Sequence, residues 1–581
     1  MCRIFTLFLL VACLSGCFGS GGGGGSGGGG NNPPGNNANL SLLVLSAGSL
    51  DQVFQENQTI YTATVGFLAA ATTVTPTTDD ADATVTVNAT TVVSGQASDF
   101  LSLAQGASQI SIVVTAEDGV TTKTYTVTVT RQLAASFGQQ AFLKASNANS
   151  NDFFGAAVAL SGDTLVVGAT GEGSSANGGA GDNSAPDAGA VYVFVRNNNG
   201  VWIQQPYLKA SNADSKDLFG SSVALSGDTL AVGAVGEGSR ANGGEADNSA
   251  PNTGAVYVFV RDTNGVWVQQ AYLKASNADA KDLFGSSVAL SGDTLVVGAI
   301  GEGSSRLGGA DDNSAPDAGA AYVFVRNNNG VWVQQPYLKA SNADAGDLFG
   351  TSVAISEGTL AVGAVGEGSS ANGGAGDNSA LSAGAVYLFT RSNNGVWLQQ
   401  PYIKASNADA GDQFGLVALS ADTLAVGAVG EGSSALGGAD DNSAPNAGAV
   451  YVFTRNNNGV WLQQPYLKAS NADAGDQFGL VTLSGDTLVV GAVTENSSAV
   501  GGEADNSAPN AGAAYVFFRS NGVWMQQPYL KASNADANDQ FGWVGFSGDT
   551  LITGAFGEGS SALGGEADNS TPDAGAGYVF Q

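Results

Sequence analysis

The stretch that decides the fold reads Phe219-Gly-Ser-Ser-Val-Ala-Leu-Ser-Gly-Asp-Thr-Leu-Ala-Val-Gly-Ala234. It holds two short apolar runs, which are separated by Ser226-Gly-Asp228. Runs of this length, bounded by glycine, serine and aspartate, are typical of β-strands joined by a tight turn. Two further strand-like runs follow, Gly254-Ala-Val-Tyr-Val-Phe259 and Gly265-Val-Trp-Val-Gln-Gln270. The stretch therefore begins a unit of four predicted strands.

The unit occurs seven times. Its Phe-Gly pair recurs at intervals of 65, 65, 65, 65, 64 and 63 residues. The seven phenylalanines are Phe154, Phe219, Phe284, Phe349, Phe414, Phe478 and Phe541. A fixed period indicates one supersecondary unit per repeat, and seven four-stranded units are typical of a β-propeller. No segment sustains the apolar period of an α-helix. The sequence therefore predicts an all-β protein with a seven-bladed propeller over residues 132–581.

The two ends of the repeated region predict how the ring closes. The last unit stops at Tyr578-Val-Phe-Gln581, after its third strand, and Ser136-Phe-Gly-Gln-Gln140 precedes the first unit. This upstream segment aligns with a fourth strand, with Phe137 in the place of Trp202. An unclosed row of blades would expose strand edges, and a solenoid would need polar caps, which are not visible. We therefore expect Ser136–Gln140 to be the donor strand that completes the last blade.

Phe-Gly, together with a Val-Gly-Ala such as Val232-Gly-Ala234, resembles the FG-GAP repeat of integrin α-chain propellers. The resemblance covers residues 136–581 and implies one propeller blade per repeat. Calcium-binding members carry an acidic Asp-x-Asp-x-Asp-Gly loop between the first two strands. Here Ser226-Gly-Asp228 is too short to surround a cation with about six to eight oxygens. We therefore expect the integrin-type calcium site to be absent.

Residues 40–131 have a different, Thr- and Val-rich pattern. Segments such as Gln109-Ile-Ser-Ile-Val-Val114 alternate with period 2, which is typical of half-buried antiparallel strands. Leu40-Ser-Leu-Leu-Val-Leu-Ser46, Thr84-Val-Thr-Val-Asn88 and Tyr125-Thr-Val-Thr-Val-Thr-Arg131 resemble the bacterial cadherin-like β-sandwich family. The resemblance implies a surface or spacer module. It brings no calcium with it, because the sequence shows no cadherin-style calcium motif.

The N-terminus is typical of a signal peptide. Arg3 precedes the apolar stretch Ile4–Cys13, which is too short to span a bilayer. Leu14-Ser-Gly-Cys17 then resembles the lipobox of bacterial lipoproteins, which implies removal of residues 1–16 and acylation of Cys17. The alternative is an ordinary signal peptide that contains a cysteine. By resemblance to the sorting pattern, Phe18 after the cysteine favours the outer membrane of a double-membraned bacterium. Residues 17–39, rich in Gly, Ser and Asn, predict a flexible tether.

Composition excludes several kinds of chemistry. The chain has 20 Lys and Arg against 51 Asp and Glu, a net charge of −31, and no histidine. Such a charge disfavours nucleic acid as a partner. Without histidine there is no Ser-His-Asp or Cys-His site and no histidine-ligated metal. The three cysteines, Cys2, Cys13 and Cys17, all lie at the N-terminus, so the folded part has no thiolate. We expect no catalytic residue and no required cofactor.

Tryptophans mark one repeated position and one that is not repeated. Six occupy the same place in successive fourth strands: Trp202, Trp267, Trp332, Trp397, Trp461 and Trp524. They could stack on a sugar, but recurrence in nearly every blade favours packing between blades. Trp543 follows Phe-Gly only in the last unit, and Arg240 and Arg306 also lack equivalents. Because these three break the repeat, they are the better candidates for a specific site.

Two acidic segments recur on each unit. Ser341-Asn-Ala-Asp-Ala-Gly-Asp347 could ligate calcium, although asparagine and aspartate also stabilise such turns by bonding to their own backbone. A loop of about 20 residues between the second and third strands carries a Glu and an Asp in every unit. These pairs are Glu172/Asp182, Glu237/Asp247, Glu302/Asp312, Glu367/Asp377, Glu431/Asp441, Glu495/Asp505 and Glu558/Asp568. We expect the seven loops to form an acidic rim on one face, and the sequence leaves metal binding open.

Paired carboxylates also suggest a glycosidase. Seven equivalent pairs argue against one, because catalysis needs a single asymmetric site with tuned pKa values. The sequence therefore favours a non-enzymatic, lipid-anchored surface protein, expected to be monomeric, whose propeller serves binding or adhesion to a protein or glycan. The alternative is a propeller enzyme that acts on carbohydrate with its loop carboxylates.

Overall fold

The computed structural model describes residues 35–132 and 137–581, apart from residues 180, 242–243, 246, 307–308, 310–311, 372, 375, 439–440, 503, 521 and 528. The predicted signal peptide, Cys17 and most of the tether lie outside these residues. Throughout the described part, every regular element is a β-strand. No helix that could cross a membrane occurs in it.

Nine strands form the N-terminal domain. They are β1 (Leu40–Leu45), β2 (Ile60–Val65), β3 (Ala71–Thr72), β4 (Val74–Thr78), β5 (Thr84–Val87), β6 (Thr90–Val92), β7 (Leu101–Ser102), β8 (Gly106–Thr115) and β9 (Thr122–Arg131). A five-stranded sheet of order β2-β9-β8-β5-β6 shares one core with the β1–β4 pair, and β3 pairs with β7. Along β8, the buried Ile110, Ile112 and Val114 alternate with less buried residues. The predicted β-sandwich is thus confirmed.

The propeller follows, and its donor strand is β10 (Gln139–Leu143). Blade 1 has β11 (Phe154–Ser161), β12 (Thr164–Ala169), β13 (Ala190–Arg196) and β14 (Trp202–Gln204). Blade 2 has β15 (Phe219–Ser226), β16 (Thr229–Ala234), β17 (Ala255–Arg261) and β18 (Trp267–Leu273). Blade 3 has β19 (Phe284–Ser291), β20 (Thr294–Ala299), β21 (Ala320–Arg326) and β22 (Trp332–Gln334). Blade 4 has β23 (Phe349–Ser356), β24 (Thr359–Ala364), β25 (Ala385–Arg391) and β26 (Trp397–Gln399).

The remaining blades have the same plan. Blade 5 has β27 (Phe414–Ser420), β28 (Thr423–Ala428), β29 (Ala449–Arg455) and β30 (Trp461–Gln463). Blade 6 has β31 (Phe478–Ser484), β32 (Thr487–Ala492), β33 (Ala513–Ser520) and β34 (Val523–Gln526). Blade 7 has β35 (Phe541–Ser547), β36 (Thr550–Ala555) and β37 (Ala576–Phe580). In blades 1 to 6 the four strands pair in chain order, and in blade 7 the order β35-β36-β37 is completed by β10.

The core lies between neighbouring blades rather than inside one blade. The middle strands are apolar along their length because adjacent blades cover both of their faces, so Thr229–Ala234 is buried throughout. One cluster, for example, joins Val166 and Val191 of blade 1 to Phe219 and Tyr257 of blade 2. Each blade is therefore stabilised by the next, which explains why the unit occurs as a closed array.

The two repeated glycines let neighbouring blades approach closely. A Cβ atom added to Gly168, in the Val-Gly-Ala of blade 1, would lie 2.2 Å from the carbonyl oxygen of Gly220, in the Phe-Gly of blade 2. Gly220 itself has φ of +96°, which side-chain-bearing residues rarely adopt. The glycines of the repeat thus serve blade packing.

Ring closure follows the prediction from the sequence. Strand β10 pairs antiparallel with β37, so the first strand of the propeller completes blade 7. Of the predicted donor strand Ser136–Gln140, Ser136 lies outside the described residues, and the paired segment runs from Gln139 to Leu143. Leu143 and Phe154 share a core cluster with Ile552 and Val579, which joins the two ends of the ring. Closure leaves neither end of the array with an open edge.

Candidate binding surfaces

The blade topology gives the disc two unlike faces. The loops between second and third strands, and the segments that lead into each Phe-Gly, lie on one face, the long-loop face. The turns between first and second strands, and between third and fourth strands, lie on the opposite, short-turn face. In blade 2 the long loop covers residues 235–254, whereas the first turn is Gly227-Asp228.

Each long loop contributes the glutamate of a buried ion pair that was not predicted from the sequence. Glu302 Oε2 accepts from Lys339 Nζ at 2.9 Å, and both side chains are at most 9% exposed. The same carboxylate accepts from Ser304 Oγ at 2.8 Å, and Lys339 also donates to the Gly319 carbonyl at 2.6 Å. Burial lowers the pKa of Lys339, an effect that Glu302 opposes. The carboxylate is therefore saturated with donors inside the fold.

The pair is repeated in all seven blades. The pairs are Lys144–Glu558, Lys209–Glu172, Lys274–Glu237, Lys339–Glu302, Lys404–Glu367, Lys468–Glu431 and Lys531–Glu495. The expectation that these glutamates form an acidic rim is wrong, because their side chains are no more than 2% exposed. A signal was present in the sequence: in five of the pairs the lysine follows its glutamate by 37 residues.

The aspartate of each long loop accepts hydrogen bonds from residues of its own loop. Asp312 Oδ2 accepts from the Ser305 backbone N–H at 2.8 Å and from Ser305 Oγ at 2.6 Å, while Oδ1 accepts from Ser314 N at 3.1 Å. These bonds to the ionised form lower the pKa of Asp312. Asp312 therefore stays ionised and closes its loop. Within one blade, the glutamate and aspartate thus have separate structural partners.

The segment before each Phe-Gly is a capped turn. Asp347 Oδ2 accepts from the Asp344 N–H at 2.8 Å, and Asp344 accepts from Asn378 Nδ2 at 3.1 Å. Asn342 donates to Glu367 at 3.1 Å and accepts from the Tyr387 hydroxyl at 2.7 Å. These contacts favour the turn interpretation of the segment. Among the described residues, no three Cys, Asp or Glu side chains are grouped to hold a metal ion.

Asp347 is 4% exposed, and burial raises its pKa to about 7. The nearby carboxylates Glu367 and Asp344 also raise the pKa, while its cap on Asp344 and the charge of Lys339 lower it. Equivalent aspartates in the other blades have pKa values raised to about 6 or 7: Asp152, Asp217, Asp282, Asp412, Asp476 and Asp539. The long-loop face therefore carries a ring of carboxyls that titrate near neutral pH.

The tryptophans behave as the sequence predicts. Trp267 is 8% exposed and packs in the cluster between blades 1 and 2. The Arg261 guanidinium lies 5.6 Å from its ring centroid. The other five repeated tryptophans have the same arginine contact: Trp202, Trp332, Trp397, Trp461 and Trp524. Packing between blades, rather than a sugar platform, accounts for these residues.

The residues that break the repeat lie at separate places. Trp543 is on the first strand of blade 7, and its ring lies 5.9 Å from that of Phe556, which in turn lies 6.1 Å from Phe153. Arg240 and Arg306 are on the long loops of blades 2 and 3, where Arg306 donates to the Ser341 carbonyl at 3.0 Å. The structure does not bring the tryptophan and the two arginines together into one site.

The sandwich docks on the short-turn face. Arg131 is 4% exposed and donates to the carbonyls of Phe67 at 2.8 Å and Leu103 at 2.9 Å. Its guanidinium lies 4.0 Å from the ring centroid of Phe518, in blade 6. Burial lowers the pKa of Arg131 to about 10. Phe67 meets Phe518 edge-on at 5.1 Å, so the contact combines aromatic packing with a cation–π interaction.

Polar contacts fix the same interface. Thr487 Oγ1 donates to the Leu68 carbonyl at 2.7 Å, and Ser102 Oγ donates to Asp486 at 2.8 Å. Asp486 is consequently 7% exposed, whereas its blade 3 equivalent, Asp293, is 64% exposed. The position of Phe518 holds Val or Thr in the other complete blades. Sequence reasoning missed this interface, although the one phenylalanine among valines and threonines marks it.

A cleft of about 730 Å³ opens beside this interface. Gln96, Asp99 and Phe100 of the sandwich line one wall, while Glu357 of blade 4 and Asp422 of blade 5 lie on the propeller side. A cavity of this size at a domain junction is a common place for a ligand. Fold and surfaces together define a two-domain protein in which a β-sandwich is fixed to one face of a seven-bladed propeller.

The comparisons with known proteins agree with this class. The FG-GAP repeat family matches residues 137–194, 202–259, 267–324, 332–389, 397–453, 461–517 and 524–580. The chain therefore belongs to the FG-GAP repeat family. Residues 38–132 match the cadherin-like beta sandwich domain. Both family resemblances stated from the sequence are confirmed.

Two similar proteins add detail. A protein of Evansella cellulosilytica, provisionally named a membrane protein, is 39% identical over 104 residues, which make up 18% of this chain and 16% of that protein. This chain thus spans about a sixth of that relative's length. A crystal structure of a protein from Lactobacillus plantarum is 12% identical, with a TM-score of 0.36, covering 63% of this chain and 87% of the other.

Proposed function

We propose that the protein is a non-enzymatic, lipid-anchored binding protein of the bacterial cell surface, whose propeller takes a protein or glycan ligand. One observation carries the choice of binding over catalysis. The seven glutamates that a glycosidase would need are buried and neutralised by lysines. A general acid or nucleophile must reach the substrate, and these carboxylates are held inside the loops.

The anchor and location belong to the same proposal. Acylation of Cys17 would tether the chain, and the sequence after it favours the outer membrane. The relative from Evansella cellulosilytica, whose name places it in a membrane, supports an envelope location. Because the sandwich covers part of the short-turn face, the long-loop face is turned away from the N-terminal side of the fold.

The binding function is tested by screening the purified chain on glycan and protein arrays beside a panel of glycosidase substrates. We expect saturable binding and no turnover. Turnover that disappears when a single carboxylate, such as Asp312, is changed to asparagine would overturn the proposal in favour of a carbohydrate-active enzyme. A chain that binds nothing on either array would also count against it.

The anchor is tested by feeding cells an alkyne-bearing fatty acid. We expect the wild-type protein to be labelled and to fractionate with the outer membrane, and the Cys17→Ser variant to lose the label. Cys13→Ser is the matched control and should stay labelled. Equal labelling of wild type and Cys17→Ser would refute the lipid anchor.

A further inference from the structure

Four charged side chains line the cleft between sandwich and propeller: Asp99, Glu357, Asp422 and Arg519. Two of them, Asp422 and Arg519, already have partners within the propeller. Asp422 binds Arg455 at 2.5 Å, and Arg519 binds Asp486 at 2.6 Å. Within the described ranges, Asp99 and Glu357 make neither an ion pair nor a side-chain hydrogen bond. The cleft thus offers two unneutralised carboxylates, one from each domain.

An exposed aromatic ring lies beside these carboxylates. Phe100 is 44% exposed, which is high for a large apolar side chain at a domain junction. Its ring approaches the Gly485 turn of blade 6, where a Cβ atom would lie 3.3 Å away. The Gln96 side chain, on the same segment, adds an amide that can both donate and accept. Apolar, anionic and amide groups are therefore combined in one cavity.

The cleft is also where the propeller departs from its own repeat. Blade 4 has Glu357-Gly358 in the turn where blades 1, 2 and 3 have Gly-Asp. The exchange places a carboxylate on the first turn residue and removes the aspartate that pairs with the arginine of the third strand in other blades. Both turn residues have positive φ, 47° and 75°, so Glu357 occupies a conformation that side-chain-bearing residues disfavour.

We propose that the cleft binds a cationic peptide segment, with a lysine or arginine side chain engaging Asp99 and Glu357 while its aliphatic stem lies on Phe100. This inference rests on the proposed binding function and names a ligand class for it. Lysine and arginine join an apolar stem to a charged end, which matches the three groups. The Gln96 amide hydrogen-bonds to the backbone of the bound peptide. A cleft with two unpaired carboxylates concentrates cations and repels anionic ligands.

The test uses the peptide acetyl-Lys-Leu-Lys-Leu-Lys-amide and calorimetric titration of the full chain at 50 and 300 mM salt. We expect saturable binding that weakens with salt, and no binding of the same peptide with glutamine in place of lysine. Asp99→Asn and Glu357→Gln should each weaken binding about fivefold, as expected for exposed charge pairs.

Two further variants test whether peptide binding depends on the cleft or only on the overall negative charge of the chain. Glu357→Gly combined with Gly358→Asp restores the repeat's own turn, so it should fold at least as well as wild type and still lose affinity about fivefold. Asp317→Asn removes an exposed carboxylate from the long-loop face and should leave the affinity unchanged. Thermal unfolding of each variant shows whether the fold is intact.

Other results overturn the inference. Equal affinity of wild type and both cleft variants would do so, as would equal binding of the lysine and glutamine peptides. Spermidine binding as tightly as the peptide would assign the cleft to a free polyamine. If the array ligand of the proposed function binds the cleft variants normally, only the peptide inference fails. If turnover is found instead, the proposed function fails while the calorimetric result stands.

Discussion

The two faces of the propeller show how one repeated unit acquires unlike surfaces. On the long-loop face, the lysine–glutamate pair and the capped aspartates recur in every blade. On the short-turn face, two residues depart from the repeat where the sandwich lies: Phe518, which packs against Arg131 and Phe67, and Glu357, which lines the cleft beside the interface. Residues common to all blades thus maintain the ring, and Phe518 shows how a departure from the repeat can form a contact with the sandwich.

Removing a buried lysine from the long-loop face should cause the largest loss of folding stability. Lys339→Met leaves the Glu302 carboxylate buried without its counter-ion, which should destabilise the fold by about 3–5 kcal/mol. The urea unfolding midpoint, followed by tryptophan fluorescence, measures the loss. The double variant Lys339→Met/Glu302→Leu removes both charges and should recover much of it. A single variant as stable as wild type would show that the pair is not needed.

The short-turn face should respond through domain docking instead. Phe518→Val introduces the residue found in blade 3 and removes the ring that Arg131 and Phe67 contact. We expect the docking of the sandwich on the propeller to weaken by about 2 kcal/mol. Small-angle X-ray scattering should show a larger radius of gyration, while the propeller's own unfolding stays unchanged. The matched variant Val325→Phe, at the same position in blade 3, should leave the radius unaltered. An unchanged radius for Phe518→Val would contradict the docking role.

The pH dependence should come from the long-loop face. The folded pKa of Asp347 is raised to about 7, so the native state binds a proton there that the unfolded chain releases near pH 4. Its stabilising contribution is full below pH 4 and is lost as the pH rises to about 7. Glu367, Asp344 and Lys339 are the charged groups that face it.

We therefore expect the melting temperature to fall between pH 5 and pH 8. Asp347→Asn should flatten this dependence by one site of seven and keep an oxygen for the Asp344 N–H. Asp317→Asn, whose carboxylate is exposed, is the control. The aspartates with lowered pKa, such as Asp312, act below pH 4 and leave this window unaffected. A melting temperature that rises over the window would contradict the assignment.

The sequence was sufficient to predict the closed ring of blades, but not the contacts on the two faces of the propeller. Period, strand count and the donor segment near Phe137 are local patterns, and the structure confirms them. The position of Glu302 was predicted wrongly because it lies in a glycine-rich loop, whereas its burial depends on Lys339, from the segment between β22 and β23. The docking of Arg131 on Phe518 depends on contacts 387 positions apart, and only the departure of Phe518 from the repeat marks it. Lipidation of Cys17 stays a prediction.

The smallest effect should come from a single methyl group on the short-turn face. Ala421 has φ of 49° in the turn where blades 1, 2 and 3 place glycine, and alanine is strained there. Ala421→Gly relieves that strain but raises the conformational entropy of the unfolded chain. We therefore expect the free energy of unfolding to rise by only about 0.5 kcal/mol. Gly227→Ala makes the opposite change at φ of 55° in blade 2, where the added methyl meets open space, and should cost about 1 kcal/mol. Urea denaturation of both variants decides the matter, because equal shifts of the same sign would show that position within the ring, rather than backbone strain, sets the energy of this turn.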